Sequence, residues 1–253
     1  MDPALSAYEA FASIYDEFTD RNDYEEWFDA LLPELDRRGL RKGRLLDVGC
    51  GTGRAFEPML QRGWQVVGCD LSPAMLGQAQ AKFAEVRLEV ADARELPVFG
   101  EFDLVWALNE VLSYLLEDGD LERALAGMRA NLAPDGRVVF DAGSQGLFQS
   151  TYTARTHPST TSERWSWTGL ADRVEPGGTY EGRISGPGVA THLHRQRHYT
   201  MEQVQGAMDG AGLTLLAALG QRDRPGAIAL FDPPDEARHD RIVYIAESGT
   251  GSS

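Results

Sequence analysis

Apolar side chains follow one period at the start of the chain and another from residue 43 onward. In residues 4–20, Tyr8, Phe11, Tyr15 and Phe18 fall on one face of a helix. DYEEWFDALLPELDRRG (23–39) keeps the helical period to Gly39, a C-cap residue, with Pro33 a point of break or kink. GRLLDVG (43–49) is a short apolar run ending in glycine, which predicts a buried strand. RAFEPMLQRG (54–63) predicts a helix and WQVVGCD (64–70) a second strand. SPAMLGQAQAKFAE (72–85) places Ser at the N-cap and Pro at N1, a strong helix start. VRLEVADA (86–93) and FDLVWAL (102–108) predict the third and fourth strands. DLERALAGMRANLAPDG (120–136) predicts a helix closed by a Pro-Asp-Gly turn, and GRVVFDAG (136–143) a fifth strand. This alternation implies a parallel sheet covered by helices on both faces.

The alternation breaks at residue 144. Residues 144–190 are rich in Ser, Thr and Gly around Trp165, Trp167 and Tyr180. SERWSWTGL, GTYEGRISG and VATHLHRQRHYT predict short antiparallel strands separated by turns such as EPGG and SGPG. A helix over 200–212 and a strand over 213–220 follow. Residues 221–240 read mostly as loop, RIVYIAE (241–247) as the last strand, and SGTGSS (248–253) as a flexible tail.

Composition narrows function more than fold. A hydrophobic fraction of 42% over 253 residues is enough for a core without staples. The two cysteines, Cys50 and Cys69, sit at strand ends with neither metal nor disulfide spacing, which suits a reducing cytoplasm. No apolar run approaches the ~20 residues of a membrane span. The first residues carry acids and lack the basic region of a signal peptide. Net charge is -15, with 39 acids against 24 bases. The one basic cluster, HLHRQRHYT (192–200), is a single short strand, so a nucleic-acid partner is not expected. Such a surface suits a cationic substrate such as an amine, or serves solubility alone.

LLDVGCGTG (45–53) carries the chemistry. A strand feeds a glycine turn and then a helix, an arrangement that lets a ligand approach the backbone. A dinucleotide fingerprint needs G-x-G-x-x-G. Here Gly49-x-Gly51 is followed by Arg54 and Gly51-x-Gly53 by Phe56, so neither register fits. Asp47 stands just inside the strand end, where it would repel a pyrophosphate and accept an ammonium. A hydrogen bond that stabilises the loop is the alternative use of Asp47. Asp70 ends the second strand and can take both hydroxyls of a ribose. Asp92 ends the third, where it can meet an adenine amino group. Carboxylates at three consecutive strand ends match a ligand with an amine, a ribose and an adenine.

LLDVGCGTG, VVGCDLSPAML and VADARELP, in this order, resemble the first three motifs of class I S-adenosylmethionine-dependent methyltransferases. The resemblance is strong over residues 40–143 and weaker over the C-terminal helix and strands. It implies an α/β fold: a Rossmann-like sheet of seven strands with the last antiparallel. It implies S-adenosyl-L-methionine as cofactor, with S-adenosyl-L-homocysteine as product. By the same resemblance, Gly49, Cys50, Gly51 and Gly53 line the methionine and ribose side beside Asp47. Asp70 holds the ribose, Leu71 and Met75 border the adenine, Asp92 with Ala93 reads its edge, and Leu108 completes the donor contacts. FASIYDEFTDRNDYEEW (11–27) resembles the N-terminal lid of small-molecule N-methyltransferases of natural-product pathways. These include the aminosugar and lincosamide enzymes and, more distantly, glycine N-methyltransferase. The implied organisation is a helical lid (1–39), a donor-binding core (40–143 and 200–247) and a β-rich substrate cap inserted after strand five (144–199). Tyr15 would touch the donor's methionine end, with Tyr8 and Phe11 closing the pocket; packing of this stripe against the sheet is the alternative. Tyr114 stands where some aminosugar enzymes carry a His base, a departure that leaves their base assignment without a counterpart here.

In open α/β sheets ligands sit outside the carboxyl ends of the strands. That puts an acceptor beside WALNEVLSYLLEDG (106–119) and FDAGSQG (140–146). Asn109, Glu110, Ser113 and Tyr114 are candidates there, with helix capping the alternative for Asn109. His192, His194, Gln196 and His198 share one strand face by period-two alternation. An imidazole such as His194 can accept an amine proton, whereas a solvated face would leave these residues without a role. Trp165 and Trp167 also share a face, and either cover an acceptor or fill the core of the insert. Tyr15, Asn109, Tyr114, Glu110 and His194 are therefore the catalytic candidates. Tyr8, Phe11, Asn109, Glu110, Tyr114, Trp165, Trp167, His192 and His194 are the substrate-binding candidates. His192-x-His194 is the only ligand-like pair, so no metal is expected. FDPPD (231–235) is similar to the Asp-Pro-Pro-Tyr motif of enzymes that methylate nucleic-acid bases or glutamine. It lies far from the fourth strand and lacks the aromatic, so it reads as a rigid loop. The expected activity is methyl transfer to an amine nitrogen of a small, specialised metabolite, with O-methylation second and a non-catalytic donor-binding module third. The expected partner is a small-molecule substrate, neither nucleic acid nor membrane, and homo-oligomerisation stays open.

Overall fold

The aromatic stripe at the N-terminus folds as a helix interrupted once. In the computed structural model, which describes residues 2–19, 22–40, 42–158, 165–186, 189–224 and 227–249, α1 spans Pro3–Phe11. Asp2 caps it by accepting from Ala4 N at 2.8 Å. A 3-10 turn (Ala12–Ile14) leads into a single turn, α2 (Tyr15–Phe18). Next, α3 (Tyr24–Arg37) starts at its Asp23 cap and runs unbroken through Pro33. Pro33 lies on the exposed face, so the carbonyl that loses its partner there can meet water. The opposite face of α3 buries Trp27, Phe28, Leu31 and Leu35 against the sheet.

The central unit then alternates: β1 (Arg44–Val48), α4 (Glu57–Gln61), β2 (Gln65–Asp70), α5 (Pro73–Lys82), β3 (Arg87–Val90), β4 (Phe102–Ala107), α6 (Asp120–Ala130) and β5 (Leu132–Gly143). After it come α7 (Gln145–Tyr152), the short strands β6 (Thr156–Pro158), β7 (Ser166–Gly169), β8 (Thr179–Gly186) and β9 (Val189–Arg197), and α8 (Met201–Gly210). The chain returns to the sheet through β10 (Leu213–Arg224), β11 (Ala227–Phe231) and β12 (Arg241–Ser248). The sheet order is β11-β10-β12-β5-β4-β1-β2-β3. Strands β1 to β5 pair in parallel, and β12 is antiparallel to both β5 and β10. The seven expected strands are all present, with the last one antiparallel.

Four local expectations are corrected. The segment 221–240 is not mostly loop: β10 runs on to Arg224 and returns as β11, an eighth strand whose Ile228 and Leu230 pack on the α3 side of the core. The helix expected over 54–63 is only Glu57–Gln61, because Pro58 fits the first turn of a helix and little further in. The helix expected over 120–136 stops at Ala130. There the Asn131 amide turns back to Gly127 O and Pro97 O, and the chain passes into β5. The insert also holds a helix, α7, capped by Ser144 and burying Phe148 and Tyr152. Its Ser- and Gly-rich surroundings hid it. The antiparallel sheet of the insert holds the three expected strands and a fourth that was not expected, β6, in the order β6-β7-β8-β9. Residues 162–164 of its first expected strand, residues 187 and 188 of the SGPG turn, and residues 250–253 of the tail lie outside the described residues.

Two apolar layers sandwich the sheet. One joins it to α6 and α8 through Leu121, Leu125, Met128, Val204 and Met208. The other joins it to α3 and α4, where Phe28 stacks on Trp106 of β4 at 5.2 Å with 12° between the rings. Both of these side chains are fully buried. Among the described residues, no helix is long and apolar enough to cross a membrane. Phe28→Ala should therefore destabilise the fold by about 3–5 kcal/mol, through lost burial and the cavity left against Trp106. Urea denaturation checks this, and an unchanged midpoint would mean that α3 is not docked as described.

Candidate active site at the carboxyl edge of the sheet

The loop after β1 is built by glycine and tied to the end of β2. Gly49 and Gly51 have φ of 73° and 54°, the left-handed region that glycine adopts without penalty. A Cβ on Gly49 would lie 2.4 Å from Val111 Cγ1, so no other residue fits there without displacing Val111. Gly49 N and Cys50 N both donate to Cys69 O, at 2.8 and 3.0 Å. Gly51 N donates to Asp70 Oδ2 and Ser72 N to Asp70 Oδ1, each at 2.8 Å. Asp70 thus holds the glycine turn against the start of α5, which Ser72 caps.

The acids at the strand ends differ sharply in their surroundings. Asp47 is 1% exposed and its Oδ2 has no protein partner. Burial pushes its carboxyl up to about 7, and the nearby Asp70 charge adds to the rise. Asp70 is also raised by burial, against the opposing N–H groups of Ser72, Gly51 and Leu71. Asp92 goes the other way. Burial would raise it, but hydrogen bonds from the Arg94 side chain and N–H outweigh that and hold it below the usual carboxylate range. Arg94 Nε lies 2.9 Å from Asp92 Oδ1.

A cleft of about 960 Å³, open solvent at its mouth included, lies over these strand ends. Of the residues expected to hold a donor, Tyr15, Gly49, Cys50, Gly51, Asp70, Leu71, Met75, Asp92, Ala93 and Leu108 line it. Asp47 and Gly53 do not. Asp47 lies beneath the loop, and Gly53 turns toward the rings of Phe56 and Phe83. Of the acceptor-side candidates, Tyr8, Asn109 and Tyr114 line the cleft. Phe11 packs behind it, edge-on to Tyr15 and Phe18. Sequence reasoning passed over Tyr24, Thr52, Arg54 and Arg94, which also line it. The basic pair and Thr52 carried a readable signal, since they flank the glycine turn and Asp92. Tyr24 carried none beyond its helical period.

The N-terminal segment closes over the cleft through polar ties. Asp2 Oδ2 meets Arg94 Nη2 at 2.7 Å. Glu9 Oε1 accepts from Ser72 Oγ at 2.7 Å and from Ala74 N at 2.9 Å, at the start of α5. Asp16 accepts from Thr52 and pairs with Lys82 at 2.7 Å. Arg54 reaches Thr19 Oγ1 at 2.6 Å. Together the ties join the segment to the loops after β1 and β3 and to α5.

On the acceptor side, the His face of β9 turns inward rather than to solvent. His194 is 2% exposed and its Nδ1 lies 2.9 Å from the Tyr114 hydroxyl. Burial pushes its imidazole down to about 4, so it is neutral near pH 7, and Nε2 has no protein partner. Tyr8 sits edge-on to both Tyr114 and His194, at 5.2 and 5.5 Å. His194 lies behind Tyr114 rather than on the cleft wall, and His192 is further along the same strand. Trp165 is buried, and Trp167 spends its indole N–H on Thr151 O at 2.9 Å; neither lines the cleft.

The exit from β4 is strained. Asn109 and Glu110 both have positive φ, 70° and 61°, which is rare for two successive residues other than glycine. Neither caps the following turn with its side chain. Glu110 points away from the cleft, with Oε1 3.1 Å from Arg241 Nε. Its N–H donates to Asp141 Oδ2 at 3.0 Å. Asn109 keeps its place on the wall, beside the Tyr15 hydroxyl. Burial pushes that phenol up to about 12, against an opposing hydrogen bond from Asn109.

Known proteins agree with this geometry. Residues 45–136 match a family model described as a methyltransferase domain. A candidate methyltransferase of Geobacillus sp. (strain WCH70) is 31% identical over 222 residues, which cover 83% of this chain and 90% of that one. A dTDP-3-amino-3,6-dideoxy-alpha-D-glucopyranose N,N-dimethyltransferase of Streptomyces fradiae is 27% identical over 76% of this chain and 78% of its own. The crystal structure of an S-adenosylmethionine-dependent methyltransferase from Clostridium acetobutylicum superposes with a TM-score of 0.76, covering 96% of this chain and 99% of that one at 23% identity. With its glycine turn, strand-end acids and sheet order, the chain belongs to the class I S-adenosylmethionine-dependent methyltransferases.

Proposed function

We propose that this methyltransferase transfers the methyl group to an amine nitrogen of a small molecule. The observation that carries this reading is the acceptor side of the cleft, where Tyr8, Asn109 and Tyr114 present neutral groups only. The glycine turn fits the donor: Gly49 and Gly51 let it lie against backbone, and Asp47, buried beneath the loop, adds negative charge under its ammonium. Asp70 uses one lone pair of each oxygen on backbone N–H groups and keeps the others for ribose hydroxyls. Leu71, Met75, Asp92 and Ala93 take the adenine, with Arg94 orienting the Asp92 carboxylate. Cys50 and Leu108 complete the wall and Tyr15 covers the methionine end. When bound, the sulfonium supplies an activated methyl group.

The chain must then align the acceptor and exclude water. Residues 1–39 act as the lid, 40–143 with 200–247 as the donor-binding core, and 144–199 as the cap. The polar ties of α1 and α2 close the lid. Asn109, Tyr114 and Tyr8 orient the acceptor, and Phe11 and Trp167 pack behind them against His194. An amine attacks as its neutral form and sheds a proton afterwards, so it needs no strong base. The Tyr114–His194 pair suits that demand: both groups stay neutral near pH 7 and orient the neutral amine by hydrogen bonding, while the product's proton leaves to bulk water. A hydroxyl acceptor would need a far more basic partner than an imidazole lowered to about 4. The amine-methylating relative from Streptomyces fradiae supports the same choice.

Incubation with S-adenosylmethionine and a panel of small amines, each matched to its alcohol, tests the reading by mass spectrometry. Methyl gain on nitrogen is expected; transfer to the alcohols instead would replace the proposal with O-methylation, and no product at all would favour a binding module. The raised Asp47 carboxyl gives a second test. Below about pH 7 it is protonated in the free protein, and a bound ammonium favours its ionised form. Binding of S-adenosylhomocysteine at pH 6 should therefore release a proton and tighten toward pH 8. Calorimetry in buffers of different ionisation heat checks this, and Asp47→Asn should abolish the release. A third test is Asp70→Ala, which should weaken the same binding by roughly 1–3 kcal/mol. Unchanged affinity would remove Asp70 from the donor site.

A further inference from the structure

A buried histidine stands behind the acceptor wall with one of its two nitrogens unmet. His194 on β9 bonds through Nδ1 to the Tyr114 hydroxyl at 2.9 Å. Its Nε2 is buried and meets no polar partner among the described residues. Rings pack the imidazole instead: Tyr8 at 5.5 Å, Phe11 at 5.6 Å and Trp167 at 5.7 Å. The neighbouring strand makes room for this packing. Gly182 of β8 pairs with His194, and a Cβ there would overlap Trp167 Cζ2. Trp167 gives its own N–H to Thr151 O, so it offers His194 a ring and no donor.

A neutral imidazole carries one proton, and burial keeps His194 neutral near pH 7. The bond to Tyr114 decides which nitrogen holds that proton. A phenol is the stronger acid of the two neutral groups and an imidazole nitrogen the stronger base, so the phenol donates. The Tyr114 O–H therefore points at Nδ1, and the His194 proton sits on Nε2. Surrounding rings suit that choice, because their negative faces accept an N–H and repel a lone pair. Tyr114 then has no proton left for the cleft. Tyr8 shares a hydrogen bond with the same hydroxyl, and with the Tyr114 proton committed it is Tyr8 that donates there. Both tyrosines line the cleft, so the wall shows a ligand phenol lone pairs.

We propose that His194 is a positioning residue for methyl transfer: by taking the Tyr114 proton it makes that hydroxyl a hydrogen-bond acceptor, matched to a nitrogen that still bears hydrogen. The assignment rests on the amine-methylation reading and deepens it. An amine attacks the methyl carbon with its lone pair. A phenol proton aimed into the cleft would bind that lone pair and block the attack. A phenol oxygen holds the N–H instead and leaves the lone pair free. As the nitrogen–carbon bond forms, the methyl–sulfur bond breaks and its electrons pass to sulfur. The new ammonium keeps its N–H on Tyr114 until water takes the proton. The substrate class is a primary or secondary amine, since a tertiary amine in its reacting form brings no hydrogen to this wall.

Nitrogen-15 labelling of the histidines in the full chain reads the tautomer directly, with His194 assigned by its loss in His194→Asn. The form with hydrogen on Nε2 is expected, and hydrogen on Nδ1 would overturn the assignment. Turnover is then measured with S-adenosylmethionine and the most rapidly methylated amine of the panel above. His194→Leu frees the Tyr114 proton and should lower kcat by about ten-fold, the effect of one hydrogen bond on the lone pair. Adding Tyr114→Phe to His194→Leu removes that proton and should raise kcat again. A double variant slower than His194→Leu would reduce His194 to packing and overturn its role. His194→Asn offers an amide oxygen to Tyr114 and should keep kcat close to wild type, which decides the matter if the leucine variant does not fold; a loss as large as that of an unfolded chain's activity in a folded His194→Asn would count against the role. Hydrogen on Nδ1 in an enzyme that methylates amines rejects this role alone. Transfer to the alcohols of the panel rejects the amine reading and this assignment with it.

Discussion

Two carboxylates at neighbouring strand ends, Asp47 buried beneath the glycine turn and Asp70 half-buried at the cleft, set the terms for the carboxyl edge. Asp47 has an oxygen that no protein group meets, and Asp70 spends its hydrogen bonds on the backbone of the glycine turn. Burial raises both, and the Asp70 charge adds to the rise at Asp47. Such a pair is costly in an empty protein and favourable once a cation arrives. The fold accepts that cost because the same geometry shapes the turn: Asp70 fixes Gly51, and Cys69 O fixes Gly49 and Cys50. Charge selectivity and loop shape therefore come from the same few atoms. A pyrophosphate would find the wrong sign here, while a ligand carrying an ammonium and a ribose meets both demands.

The N-terminal segment turns this cradle into an enclosure. Its contacts with the core are ionic and capping bonds at several separate points, from Asp2 on Arg94 to Asp16 on Lys82. Partly exposed pairs of this kind each contribute little. Distributed along one segment, they hold it over the cleft at several separate points. The apolar stripe of α1 sits over Tyr114 and His194 instead of over the sheet proper, so the cover also shapes the acceptor wall. Asn109 joins the two halves, held in a left-handed conformation by Asp141 and Arg241 from strands far apart in sequence.

Much of this was legible before any coordinates, and for definable reasons. The alternation of β1 to β5 with helices showed because strands buried on both faces read as continuous apolar runs. The glycine turn and the acids after β1, β2 and β3 showed because each lies within a residue or two of a strand end. What stayed hidden depended on distance in sequence. Nothing near Glu110 announces that Arg241 neutralises it, and nothing near His194 announces Tyr114. The inward turn of the His face is decided by α1 packing on β9, a contact that period-two alternation cannot see. Strand β11 was missed because its pattern is short and follows a stretch of sequence rich in Arg, Asp, Pro and Gly. Arg94 was missed although it stands two residues from Asp92, because its role appears only when Asp2 comes across to meet it.

Hydrogen–deuterium exchange with and without S-adenosylhomocysteine tests the central claim most directly. If the strand-end acids and the N-terminal cover form one donor site, protection should rise together in residues 45–53, 70–75 and 92–95 and in residues 2–19. Protection that leaves the glycine turn untouched, or that appears only in the four-stranded insert, would contradict it.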